Sequence, residues 1–361
     1  MNISTITKQA YFLLIFACCQ TSFSQNINIL TDSIAKVHFQ DSTNVGLSIG
    51  IIKNDSIQKY YYGGKYVSTL KDIDSTTLFE IGSVTKLYTS FILASLETEN
   101  KISRFDLLSK YLPKEVTDGK IWSSKVRLVD LATHTSGFPQ FESTKSLISL
   151  EGFDENDPYG LFTEDFMLNI LKKTDTLSNY GKIRYSNFGI GLLGYAMAKS
   201  QNTSFSDLFM KYIVKGLGLK STYLSVPEKY LTNIAIPHRK LDKMPLIHLA
   251  GMSPSGSIKT SMPDLLRFLD MHLKKPKAIK NAVELVLENQ LENNEQAVGL
   301  GWGIHTIKNV TIYFHNGGTY GSSSIVVIVP SKMVGVAILS NNSSEGQLTS
   351  VVLNLINKLI D

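Results

Sequence analysis

β-Strand signals stand at both ends of this chain and helical signals fill its middle, which leaves few ways for it to fold. Val45-Gly46-Leu47-Ser48-Ile49-Gly50-Ile51-Ile52, a polar Asn54-Asp55 step and Ile57-Gln58-Lys59-Tyr60-Tyr61-Tyr62 read as a β-hairpin. Near the C-terminus, Gly301–Thr306, Val310–His315, Ser322–Val329 and Val334–Leu339 are β-rich runs parted by Asn, Gly, Pro and Lys turns. Between these ends, apolar spacing predicts helices over Lys86–Leu96, Arg104–Tyr111, Val126–Thr133, Leu161–Lys173, Phe188–Lys199 and Phe205–Val214. Helices are also predicted over Ile29–Phe39, from Leu265 behind a capping box at Ser261–Asp264, and over Ser350–Ile360. Hairpin and meander are expected to join in one antiparallel sheet flanked by the first and last helices. That is an α+β fold with a second, mostly helical lobe. The lobes divide as 25–82 with 255–361, and 83–254; a cleft between them is the natural place for a site. The polar stretch Gln140–Asp157 reads as a surface loop near it.

Residues 1–24 stand apart. Lys8 precedes the apolar run Ala10–Ala17, and small residues around Ser22-Phe23-Ser24 lead to Gln25, the pattern of an export leader too short to span a bilayer. The rival reading is a lipoprotein acylated at Cys18 or Cys19, although Phe16 makes a poor lipobox. Either way the expected location is periplasmic or secreted. Both cysteines fall in the leader, so a chain starting near Gln25 has no disulfide and no thiolate. The net charge of +5 becomes +4 without Lys8, spread over an ordinary mixed surface. Lys274-Lys275-Pro276-Lys277 reads as a solvated helix end, and nothing suggests a nucleic-acid partner.

Three motifs carry chemistry. In Gly82-Ser83-Val84-Thr85-Lys86, a hydroxyl and an amine stand at i and i+3 of a helix start, on one face. A desolvated lysine there can take the proton of the serine, although an N-capping serine would look the same. Arg184-Tyr185-Ser186-Asn187 sets a phenol and an amide two residues apart before a helix. The phenol can relay a proton and the amide can hold a substrate carbonyl; a buried tyrosine beside a cap is the plainer alternative. Phe314-His315-Asn316-Gly317-Gly318-Thr319-Tyr320-Gly321 ends a strand with glycines that admit a substrate backbone and leave N–H groups for an oxyanion. A hairpin bend fits the same glycines.

In this order the motifs resemble the class C β-lactamase and DD-peptidase (penicillin-binding protein-like) family of serine hydrolases. Leu131-Ala132-Thr133-His134-Thr135-Ser136-Gly137, Gly299-Leu300-Gly301-Trp302-Gly303 and Pro254-Ser255-Gly256-Ser257-Ile258 extend the likeness from about residue 40 to 345. The resemblance implies Ser83 as the nucleophile of an acyl-enzyme, Lys86 and Tyr185 as its proton partners, and Asn187 as the group orienting the substrate amide. It also implies an oxyanion hole from the N–H groups of Ser83 and Gly318, beside Gly317. His134 falls in a segment that is mainly structural in the family. His38, His238, His248, His272 and His305 are scattered without ligand spacing, so no metal and no cofactor is expected.

The departure is His315, where family β-lactamases usually carry lysine. A neutral imidazole gives up most of the attraction for a substrate carboxylate. This fits family DD-peptidases, D-amino-acid amidases and esterases better than an efficient β-lactamase. The expected protein is an exported serine hydrolase acting on a D-amino-acid peptide or a small ester. A class C-type β-lactamase, and a non-catalytic protein that binds penicillin or cell-wall fragments, are the alternatives. The expected partner is a small-molecule or peptide substrate, with a membrane involved only through a lipid anchor.

Overall fold

The computed structural model describes residues 27–67, 72–141, 147–155, 157–177, 179–291, 296–343 and 345–360. The leader expected over residues 1–24 lies outside the described residues, as does part of the Gln140–Asp157 stretch. Two compact units part between Asn44 and Val45. The described part of the first is helix α1 (27–38) and a closing turn, in which Asn44 Nδ2 donates to the His38 carbonyl at 2.7 Å.

The second unit carries strands β1 (Gly46–Lys53), β2 (Ser56–Gly63), β3 (Leu78–Glu80), β4 (Thr222–Tyr223), β5 (His238–Arg239), β6 (Asp242–Lys243), β7 (Lys259–Ser261), β8 (Ala297–Val298), β9 (Gly303–Ile307), β10 (Val310–Gly318), β11 (Ser323–Val329) and β12 (Val334–Ser340). Its helices are α2 (Thr85–Thr98), α3 (Lys114–Thr117), α4 (Leu128–Ala132), α5 (Glu164–Lys173), α6 (Asn187–Ser200), α7 (Phe205–Leu208), α8 (Met262–Lys274), α9 (Lys280–Leu287) and α10 (Glu345–Ile360). The hairpin and the meander meet as expected. They form one antiparallel sheet in the order β2-β1-β12-β11-β10-β9-β8, with Leu47 opposite Ser340. Every residue of β11 and β12 is buried, so these Val- and Ile-rich strands need cover on both faces. Helix α10 lies along both of them, and α8 presses Met262 and Leu266 onto Gly50 of β1. Each large aliphatic side chain buried this way contributes about 1.5–3 kcal/mol.

Local chemistry corrects three details. Only Leu108–Tyr111 of the helix expected over Arg104–Tyr111 coils, as a 3₁₀ turn. The backbone before it is committed elsewhere: the carbonyls of Arg104 and Asp106 accept from Val129 and Leu128, and the Asp106 carboxylate takes the Ser103 N–H. The segment Phe205–Val214 begins as α7 and then widens into a π-helical stretch over Phe209–Lys215. Ser261 does cap α8 by accepting from Asp264 N, which is worth about 1 kcal/mol. The Asp264 carboxylate does not complete a box; it accepts from Lys220 N, Ser221 N and the Thr222 hydroxyl.

Short strands that the helical periodicity hides flank the central segment and, at β4, interrupt it. β3, β7 and β4 form a small sheet, and its register sets Glu80 opposite Lys259. The two pair at 3.5 Å although both are buried. Glu80 accepts from Ile247 N and Lys259 donates to Ile247 O, so the ion pair holds both backbone polar groups of one residue.

Candidate active site

The chain leaves β3 at Glu80, makes a 3₁₀ turn over Gly82–Val84 and enters α2 at Thr85. Gly82 takes φ +46°, and a Cβ there would stand 2.4 Å from the Gly318 carbonyl oxygen. A Cβ on Gly317 would stand 2.2 Å from the Ile81 carbonyl oxygen. Two glycine backbones therefore dock face to face where side chains would keep them apart. Ser324 Oγ fastens the contact by donating to Ile81 O at 2.8 Å. This docking sets Ser83 beside the end of β10.

Ser83 Oγ receives two side chains. Lys86 Nζ lies 3.0 Å away, and the Tyr185 hydroxyl donates to the same oxygen. Lys86 Nζ also donates to Asn187 Oδ1 at 2.8 Å and to the Ser255 carbonyl at 2.7 Å. The amine is fully buried, and desolvation pushes its pKa well below the ordinary lysine value. The Ser255 carbonyl is fixed from α2 itself: Thr89 donates to Pro254 O at 2.6 Å, and Thr85 Oγ1 accepts from Ile258 N at 3.1 Å.

Tyr185 and Asn187 reach the site because Ser186 caps α6. Its hydroxyl accepts from Gly189 N at 2.9 Å and donates to Pro139 O at 2.6 Å, while Asn187 N donates to Gln140 O. Asn187 spends both ends of its amide within the protein, since Nδ2 donates to Phe141 O at 3.2 Å.

Ser83, Tyr185, Asn187, Gly317 and Gly318 line one cleft of about 640 Å³, along with Tyr159, Tyr320 and Arg239. His315 does not line it. Its buried ring lines a smaller cavity of about 170 Å³ with His134, and Tyr185 forms part of the wall of both spaces. His315 Nδ1 donates to its neighbour Asn316 O; burial first, then Lys86, brings its pKa down to about 4.

The Beta-lactamase family model matches residues 33–353. The chain belongs to the beta-lactamase family. It is 26% identical over 354 residues to a Beta-lactamase of Pseudomonas fluorescens, covering 88% of this chain and 94% of that protein. It is 29% identical over 257 residues to a Beta-lactamase of Providencia stuartii, covering 71% of this chain and 62% of that relative's length. The solved class C beta lactamase from Rhodobacter sphaeroides shares the fold at a TM-score of 0.78 and 22% identity, covering 91% of this chain and 99% of that one. Another class C beta lactamase structure superposes at 0.81, also at 22% identity, covering 92% and 98%.

As a serine hydrolase of this family, the chain brings together Ser83, Lys86, Tyr185, Asn187 and the Gly317-Gly318 backbone, and sets His315 behind them. Sequence reasoning missed three features of the site. The Ser255 carbonyl is a backbone group that no side-chain motif announces, although its segment resembled the family. Arg239 sits on a two-residue strand too short to signal. The Glu80–Lys259 pair gave one clue, an acid inside the apolar run Leu78-Phe79-Glu80-Ile81.

Proposed function

We propose that this beta-lactamase-family serine hydrolase is exported and works through an acyl-enzyme on Ser83, with a D-amino-acid peptide or a small ester as substrate. The observation that carries the reading is the environment of Lys86: a desolvated amine, tied to Asn187 Oδ1 and Ser255 O, set on Ser83 Oγ. A neutral amine has two N–H bonds and one lone pair. The two carbonyl acceptors take the N–H bonds and leave the lone pair for the Ser83 hydroxyl proton. Ser83 Oγ then bonds to the substrate carbonyl carbon while its proton passes to Lys86. Tyr185 gives the leaving amine or alcohol its proton as the scissile bond breaks, and is reprotonated from Lys86. Water then bonds to the acyl carbon while giving a proton to the Lys86–Tyr185 pair, the bond to Ser83 Oγ breaks, the acyl group leaves as its carboxylic acid, and that pair returns the proton to Ser83. The N–H groups of Ser83 and Gly318 receive the oxyanion, each worth about 2.7–4 kcal/mol in the transition state.

His315 lines the smaller cavity and is neutral at working pH, so it sets no charge toward a substrate carboxylate, which supports an amide or ester substrate over an efficient β-lactamase. A β-lactamase is the second reading, favoured by the names of the relatives. A non-catalytic binding protein has no use for a desolvated lysine set on a serine hydroxyl. Intact mass of the protein with excess benzylpenicillin, followed over time, tests the set. A lasting adduct at Ser83 supports the peptidase-like reading, and consumed drug without an adduct supports the β-lactamase. If Ser83→Ala and wild type behave alike toward penicillin, esters and D-amino-acid amides, the acyl-enzyme is wrong.

A further inference from the structure

His134 grips the chain on both sides of Tyr185. Its carbonyl accepts from Arg184 N at 2.7 Å, its ring Nδ1 accepts from Ser186 N at 3.2 Å, and its ring lies 4.6 Å from the Tyr185 ring. We propose that His134 is a positioning residue for Tyr185, a clamp that aims the phenol at Ser83; this rests on the reading of Tyr185 as the proton carrier.

The clamp needs one form of the imidazole. To accept from Ser186 N, Nδ1 must be bare, so the ring proton sits on Nε2 and the ring is neutral. The surroundings favour that form. Burial lowers the pKa of His134 well below its ordinary value, and Lys86 of α2 and His315 of β10 lower it further. The backbone bends to deliver the grip. His134 holds φ +61°, a region that L-residues visit sparingly, and Thr133 and Thr135 lock the bend through Val129 O and Asp130 O. A histidine that merely filled space would need neither this conformation nor bonds to both neighbours of one tyrosine. His134 touches Tyr185 and Ser186 rather than Ser83, so it is no member of a triad.

The test is a double-mutant cycle read on Ser83 itself, using the rate of modification by a fluorophosphonate followed by intact mass. His134→Ala is expected to slow modification at least tenfold. His134→Asn, whose amide oxygen can replace Nδ1 and which tolerates positive φ, is expected to stay within threefold of wild type. In a Tyr185→Phe background, His134→Ala is expected to cost less than twofold. An equal cost in both backgrounds overturns the proposal. Hydrogen exchange at the Ser186 amide decides independently of chemistry: protection should fall at least tenfold in His134→Ala and persist in His134→Asn. Unchanged protection overturns the clamp. A wild type that no fluorophosphonate modifies would instead overturn the hydrolase reading, leaving the exchange result to judge His134.

Discussion

Lys86 Nζ donates to Asn187 Oδ1 at 2.8 Å, so the asparagine expected to orient substrate is already engaged in holding the lysine. Exchanging its carbonyl for a carboxylate would favour the ammonium form of Lys86 and raise its pKa. Asn187→Asp is expected to move the acid limb of kcat/KM upward by about one unit or more and to cut the rate at pH 7 about tenfold. A limb that stays in place would remove Lys86 from the role of base.

Lys86→Ala and Tyr185→Phe should each slow acylation of Ser83 by about 10²–10⁴-fold, the range for losing a positioned proton carrier. Stopped-flow acylation by a p-nitrophenyl ester measures this. Near-normal rates in either variant would break the proposed relay.

The docked glycines predict an unusually damaging methyl group. Gly317→Ala places a Cβ 2.2 Å from Ile81 O and 2.9 Å from Ser83 N, both backbone atoms that cannot swing aside. Acylation is expected to fall at least about 100-fold with a loss of stability of about 1–3 kcal/mol. Acylation kinetics and urea unfolding would show both.

His272 makes stability depend on pH. Its ring is buried against Phe268, Phe91 and Trp302, Nδ1 donates to Phe268 O at 2.8 Å, and desolvation brings its pKa from 6.5 down to about 4. As pH falls from about 6.5 to about 4, the unfolded chain binds a proton that the folded chain refuses, so stability declines across that window. The decline amounts to about 3 kcal/mol when complete. His272→Leu should flatten urea-unfolding free energies between pH 7 and pH 4.5 by most of that amount; curves of equal slope would contradict it.

Much of this molecule was legible in its residues. Hairpin and meander stand out as β-branched apolar runs parted by turn residues, and Ser83, Lys86 and Tyr185 lie in short motifs whose chemistry is local. What escaped reading depends on partners far along the chain. Arg104 and Asp106 sit in a helical pattern, yet their carbonyls are claimed by Leu128 and Val129. Glu80 stands out inside an apolar run, yet nothing in the sequence names Lys259 as its partner until β3 and β7 pair. Asn187 reads as a group for substrate until the fold brings Lys86 to it. His315 was placed by motif, but β10 turns its ring away from the cleft lined by Gly317 and Gly318.

The sheet also imposes an order of events on the growing chain. β1 is among the first segments synthesised and takes as its neighbour β12, almost the last. Until residues 334–340 emerge, the Ile-rich strand β1 is paired on one edge only, by β2, and its other edge stays open, the condition in which nascent chains stick to one another. Gly82 and Gly318 are separated in the same way, so a chain that ends before Gly318 cannot form their contact. The contact that sets Ser83 beside β10 is therefore made late in the life of the chain, once its C-terminal strands exist.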